Sequence, residues 1–150
     1  MKFNIKFDNT EILKNLKGKA RLKVGFFEKS TYETGEYVAS VAFWNEFGTI
    51  SKLGNRHIPP RPFMRNTIAK SENLNLWREI IADLAKKGFK PSQILEILGS
   101  QVVGAIQTEI TNGNFEPNAP YTIAKKGAGK RPLIDTSLMV SQVAYEVVNV

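Results

Sequence analysis

Five aliphatic residues spaced four apart, Ile94, Leu98, Val102, Ile106 and Ile110, constrain this chain more than any other feature. A helix turns once in about 3.6 residues, so the spacing draws an apolar stripe along one side of a long helix, and that stripe must be covered. Pro91 suits the first turn, where its missing N–H has no intrahelical partner, and Asn112 and Gly113 suit the end. A second stripe precedes it, Leu74, Trp77, Ile80, Ile81 and Leu84, with Gly88 placed to stop the helix. Two antiparallel helices joined by a short turn follow from this pattern. Gly99 and Gly104 lie inside the second helix, where each costs about 1 kcal/mol relative to alanine. Each reads either as a close approach to a neighbouring element or as a tolerated imperfection.

The cover for these stripes comes from segments that alternate with period two, which puts apolar side chains on one face of a strand. Phe3, Ile5 and Phe7 alternate with Lys2, Asn4 and Lys6; Leu22, Val24 and Phe26 with Arg21 and Lys23; Val143, Tyr145 and Val147 with Gln142, Ala144 and Glu146. The expected fold is therefore α+β: a small single domain over residues 1–150, with an antiparallel sheet that includes the N- and C-terminal strands packed on two long antiparallel helices.

Shorter helices fill the gaps. Asp8 and Glu11 can cap one that carries Ile12, Leu13 and Leu16 and stops at Gly18. Residues 37–47 fit helical spacing better than strict alternation, and Asp135 or Thr136 can cap one turn through Leu138 and Met139. Two stretches read as long loops. Residues 48–62 hold Gly48, Gly54, Pro59, Pro60 and Pro62, and prolines remove backbone donors and push their predecessors out of helical geometry. Residues 115–131 hold two prolines, two glycines and the cations Lys125, Lys126, Lys130 and Arg131 with little apolar content, the character of a mobile loop that orders on assembly.

Little points to chemistry. The chain lacks cysteine and has one histidine, His57, in a Pro/Gly-rich basic loop with no acid pattern around it. Glu109 and Glu116 read as solvated surface, and Lys126-Gly127-Ala128-Gly129-Lys130 has neither the Ser/Thr nor the leading strand of a phosphate loop. The expectation is a protein without catalytic residues, metal or cofactor. The amino terminus alternates instead of forming the apolar run of a signal peptide, and no stretch of about 18 apolar residues occurs, so synthesis in the cytoplasm and no membrane span are expected. The formal net charge of +7 adds a weak general attraction to polyanions. What reads positively is an aromatic and basic segment: Phe43, Trp44, Phe47 and Phe63 bracket Arg56 and Arg61, which marks an interface, a core edge, or both.

These residues also carry a resemblance. The run Val41-Ala42-Phe43-Trp44-Asn45-Glu46-Phe47-Gly48-Thr49, followed after a basic loop by Ile58-Pro59-Pro60-Arg61-Pro62-Phe63-Met64-Arg65, resembles the signature of tail-completion and virion-morphogenesis proteins of long-tailed bacteriophages. Members pair an Asn-Glu-Phe-Gly-Thr segment with an Ile-Pro-x-Arg-Pro-Phe segment at this separation. They also show Pro-Leu-x-x-Thr-Gly-x-Leu before a final strand; here Pro132-Leu133-Ile134-Asp135-Thr136-Ser137-Leu138 carries Ser137 where glycine is usual.

The resemblance implies a non-enzymatic structural virion protein, in a phage or a prophage remnant, that completes the tail or joins head and tail at the neck. It implies other neck or tail proteins as partners, self-association into a ring, and a virion location after synthesis in a host bacterium. Trp44, Glu46, Phe47, Arg61, Pro62 and Phe63 are the expected assembly interface, with a Glu46–Arg61 pair pinning the Pro-rich loop and Phe63 anchoring its end. That loop looks too polar to form the main core. Lys125, Lys126, Lys130 and Arg131 are expected to face an acidic partner, or weakly the phosphates of DNA in the connector. The alternative is a small basic DNA-binding protein, which the charge favours and no helix-turn-helix, zinc-finger or RNA-recognition pattern supports.

Overall fold

A computed structural model of the chain describes residues 19–27, 30–50, 52–54, 56–126, 131–133 and 137–149. In chain order the elements are β1 (Ala20–Phe26), α1 (Val38–Phe47), β2 (Thr49–Ile50), β3 (Arg56–Ile58), α2 (Phe63–Ala69), α3 (Ser71–Lys86), α4 (Pro91–Asn112), α5 (Pro120–Lys126), α6 (Leu138–Ser141) and β4 (Val143–Asn149). The fold is α+β, and β1 pairs with β4 in an antiparallel sheet that packs on a long helix. The strands expected at Phe3, Ile5 and Phe7 and the helix expected from Asp8 to Gly18 lie outside the described residues. The strand that pairs with β4 is the one read at Leu22, Val24 and Phe26.

The chain forms two compact units. The first takes the described residues of Met1–Gly25, Ile68–Ala105 and Ala144–Val150. Lys23 Nζ meets Glu146 Oε2 across the strands at 3.2 Å. Tyr145 lies against α4 at Gly99, where an added Cβ would come within 2.4 Å of the ring, so this glycine marks a close approach. At Gly104 the same test meets nothing within 4 Å, and the glycine there is a tolerated imperfection. Trp77, Ile94, Leu98 and Val102 are buried, the centres of the two stripes. Gly88, at φ +81°, ends α3: its N–H donates to Ala85 O and that of Phe89 to Leu84 O, which satisfies carbonyls the helix leaves open. At the other side of the turn, Gln93 Oε1 accepts from the N–H of Lys90 and caps α4.

The second unit takes Phe26–Thr67 and Ile106–Val143. Ile106 and Ile110 continue the stripe of α4 and are buried with Val38, Ala42, Phe63, Met64, Met139 and Val143. Helix α1 packs against α6, and Phe26 meets Phe63 edge to face at 6.1 Å. Glu109, read from sequence as solvated, is buried, and one oxygen accepts from Asn66 Nδ2 at 3.4 Å.

Both expected loops contain regular structure. Within 48–62, β2 and β3 form an antiparallel hairpin with Thr49 opposite Ile58 and Ile50 opposite Arg56. Within 115–131, α5 begins at Pro120, the position where proline suits a helix start. The turn before β4 has Ser137, not Asp135 or Thr136, at its N-cap, and Asp135 and Thr136 lie outside the described residues. Among the described residues, no helix is long and apolar enough to cross a membrane.

Candidate interaction surface

The two halves of the quoted motif are hydrogen-bonded to each other, and Glu46 is the centre of the contact. The residue is 1% exposed, on the buried stripe of α1 with Val38 and Ala42. Glu46 Oε2 accepts from the N–H of Met64 at 2.9 Å and Oε1 from that of Arg65 at 3.1 Å, so a carboxylate caps the otherwise open N-terminus of α2. Arg65 closes the arrangement through Nε on Glu46 Oε1 at 2.9 Å and Nη2 on the carbonyl of Glu46 at 2.6 Å. The pair is charge-assisted and fixes where α2 begins.

Arg61 therefore does not pair with Glu46, contrary to the sequence expectation. Its backbone N–H donates to Asn45 O at 2.6 Å and its Nη1 to Asn45 Oδ1 at 3.0 Å. The remaining donors reach the chain beyond α4: Nε to Glu116 O at 3.0 Å, and Nη2 to Pro117 O at 3.2 Å and Asn118 Oδ1 at 3.4 Å. One planar fork thus ties α1 to residues 116–118. Burial pulls the guanidinium below its ordinary pKa and the nearby Glu116 carboxylate pulls it back. It stays charged at any ordinary pH.

Gly48 and Thr49 complete the lock. Gly48 has φ +75°, which disfavours any side chain, and an added Cβ would lie 2.8 Å from Ile58 O. Thr49 Oγ1 accepts from the N–H of Ile58 at 3.2 Å. The expected interface residues therefore divide. Glu46, Arg61 and Phe63 are buried and spend their contacts inside this unit, with Phe63 at 0% exposure overturning the expectation that its loop is too polar for the core. Pro62 is half-buried, while Trp44 and Phe47 reach solvent.

The exposed residues have a pattern. With about 100° between successive residues, Phe43, Trp44 and Phe47 fall in an arc of about 100° on the side of α1 away from the stripe of Val38, Ala42 and Glu46, and Tyr37, the extended residue that precedes the helix, is exposed as well. Tyr37, Phe43 and Phe47 are all more exposed than Trp44, which is itself 38% exposed. The rings of Phe43 and Phe47 meet at 4.8 Å, and the Arg65 guanidinium sits 4.9 Å from the centre of the Phe47 ring. Ile50 and Leu53 of the adjoining hairpin are 75% and 88% exposed. Helix α1 thus buries its acid and shows its aromatics, the reverse of a helix that serves only a core.

Of the four cations named on the second loop, Arg131 is exposed and donates through Nη1 to Thr111 O at 2.8 Å. Lys125 and Lys126 lie at the end of α5, and their side chains and all of Lys130 are outside the described residues. Sequence reasoning named neither Asn45 nor Arg65 as a site residue, although both stand inside the quoted motif. Comparison with protein-family models, with curated proteins and with solved structures finds no match.

Proposed function

We propose that this chain is a non-enzymatic structural subunit of a tailed-phage virion, or of a prophage remnant, which completes the tail or joins it to the head through protein–protein contacts. The observation that carries the reading is the aromatic arc of α1, large apolar side chains held in solvent on a helix whose other side is locked, with Ile50 and Leu53 also exposed in the hairpin that follows. Such a patch costs solubility unless it is covered, and a rigid patch loses little entropy on docking. The motif resemblance supplies the setting, a neck or head-proximal tail position. The hydrogen-bonded lock gives the motif a physical purpose, since it holds α1, the hairpin and α2 in one arrangement.

The test is genetic and structural. Deletion of the gene from an inducible phage should yield unjoined heads and tails or unfinished tails in the electron microscope, and mass spectrometry of intact particles should find the chain in a fixed copy number. Normal infectious particles that lack the chain would refute the proposal.

A further inference from the structure

We infer that the cleft in front of Arg61 binds a carboxylate carried on a short apolar body. The cleft lies wholly within the second unit and has a volume of about 300 Å³. Arg61 lines it at 6% exposure, and the four side-chain hydrogen bonds of its guanidinium all end on uncharged oxygens, those of Asn45, Glu116, Pro117 and Asn118. The Glu116 carboxylate favours the charge from nearby, but the bond is to the Glu116 carbonyl. A buried cation bonded to no anion is costly to hold, and an anion in the cleft relieves that cost.

Donors for that anion are at hand. A guanidinium has five N–H groups, so one on Arg61 Nη1 is left over, and Asn45 Nδ2 uses one of its two on Val41 O. Thr122, half-buried on the lining, has a hydroxyl with no hydrogen bond among the described residues. Val41, Ile58 and Met139 supply an apolar wall. Leu133 completes it at φ +69°, a strained conformation for leucine, and strain of this kind gathers at ligand clamps, where the surroundings hold it. The other charge on the lining, Glu36, is exposed and accepts from Thr34 Oγ1. With one cation and one carboxylate on the lining, a single negative charge fits better than a phosphate dianion.

N-acetyl-leucine carries a carboxylate on an apolar body, and N-acetyl-leucine amide is the same body without the charge. Two-dimensional NMR of the whole protein, titrated with each, should show the acid saturating in the millimolar range and the amide binding about tenfold more weakly. The shifted signals should include those of Asn45, Thr122 and Met139. Arg61 is left in place because its fork holds residues 116–118. Thr122→Val, nearly equal in size, should instead weaken the acid several-fold and leave the thermal melt unchanged. Acetyl-Gly-Gly-Leu with a free carboxylate separates two sources of the same chemistry. Tighter binding than N-acetyl-leucine points to a chain terminus, equal or weaker binding to a small acid, and both uphold the site. No saturable shift with the acid, equal affinity for acid and amide, tighter binding of inorganic phosphate than of the acid, or unchanged affinity in Thr122→Val each overturns the inference.

Discussion

At the scale of single residues, the pairing of Glu46 decides what the motif is for. Sequence reading joins Glu46 to Arg61, because the helix that starts at Phe63 has no strong apolar period to announce it and so gives no reason to prefer Arg65. Once α2 exists, its first N–H groups need an acceptor, and Glu46 is that acceptor. Glu46→Ala leaves these donors buried and Arg65 without its carboxylate; the expected loss is about 2–4 kcal/mol by denaturant titration. Phe63→Ala should cost about 3–5 kcal/mol, in place of the near-neutral effect that an exposed loop residue would show. Ser137, where the resembled signature has glycine, has a physical reading as well. Ser137 sits at φ +62°, in the left-handed region that favours glycine. Ser137→Gly should raise stability by about 0.5–1 kcal/mol, the relief of that conformation less the added freedom of the unfolded chain, and a thermal melt checks it.

At the scale of elements, the helices with long stripes were legible from their spacing alone, and so were their stops. The hairpin was not, because strands as short as Thr49–Ile50 and Arg56–Ile58 have no room to display alternation. Helix α5 was missed for a related reason: its seven residues carry too few apolar positions to show a period, although Pro120 stood at its first turn. The two glycines of α4 offer a matched test. Gly99→Ala drives a methyl into the Tyr145 ring and should cost about 1–3 kcal/mol, whereas Gly104→Ala meets open space and should gain up to about 1 kcal/mol. Tyr145 also links the sheet to α4 through its hydrogen bond to Glu96, which, ahead of burial and the charge of that carboxylate, raises the phenol above its ordinary value of 10.0. The raised pKa means that the stabilisation is complete below about pH 10 and is lost as pH climbs through the folded value. Urea melts between neutral and strongly alkaline pH should show Tyr145→Phe lacking this part of the alkaline decline; equal slopes for both proteins would count against the link.

For the molecule as a whole, the proposed function turns on which aromatics face solvent, and that was only half legible. The sequence shows four aromatic residues around a basic loop. Burial then separates Phe63, which is enclosed, from Phe43, Trp44 and Phe47, which are not. No periodicity argument makes that separation, because a helix that displays its aromatic side has the same composition as one that hides it. Replacing Phe43, Trp44 and Phe47 by Ser should change the melting temperature little while it blocks incorporation into particles, read by complementation; a large loss of stability would place those rings in a core instead.

The lock between Glu46, Arg65, Asn45 and Arg61 makes two segments separated by a hairpin behave as one heritable character. A change at Glu46 alters what position 65 must be, and a change at Asn45 alters what position 61 must be, so tolerated variants should arise as pairs. A saturation library over these four positions, sorted for folded protein, should show survivors at 46 that depend on the residue at 65 and survivors at 45 that depend on 61, with little dependence across the pairs. Distant kin would then betray themselves by matched exchanges at these positions after the surrounding residues had drifted beyond recognition.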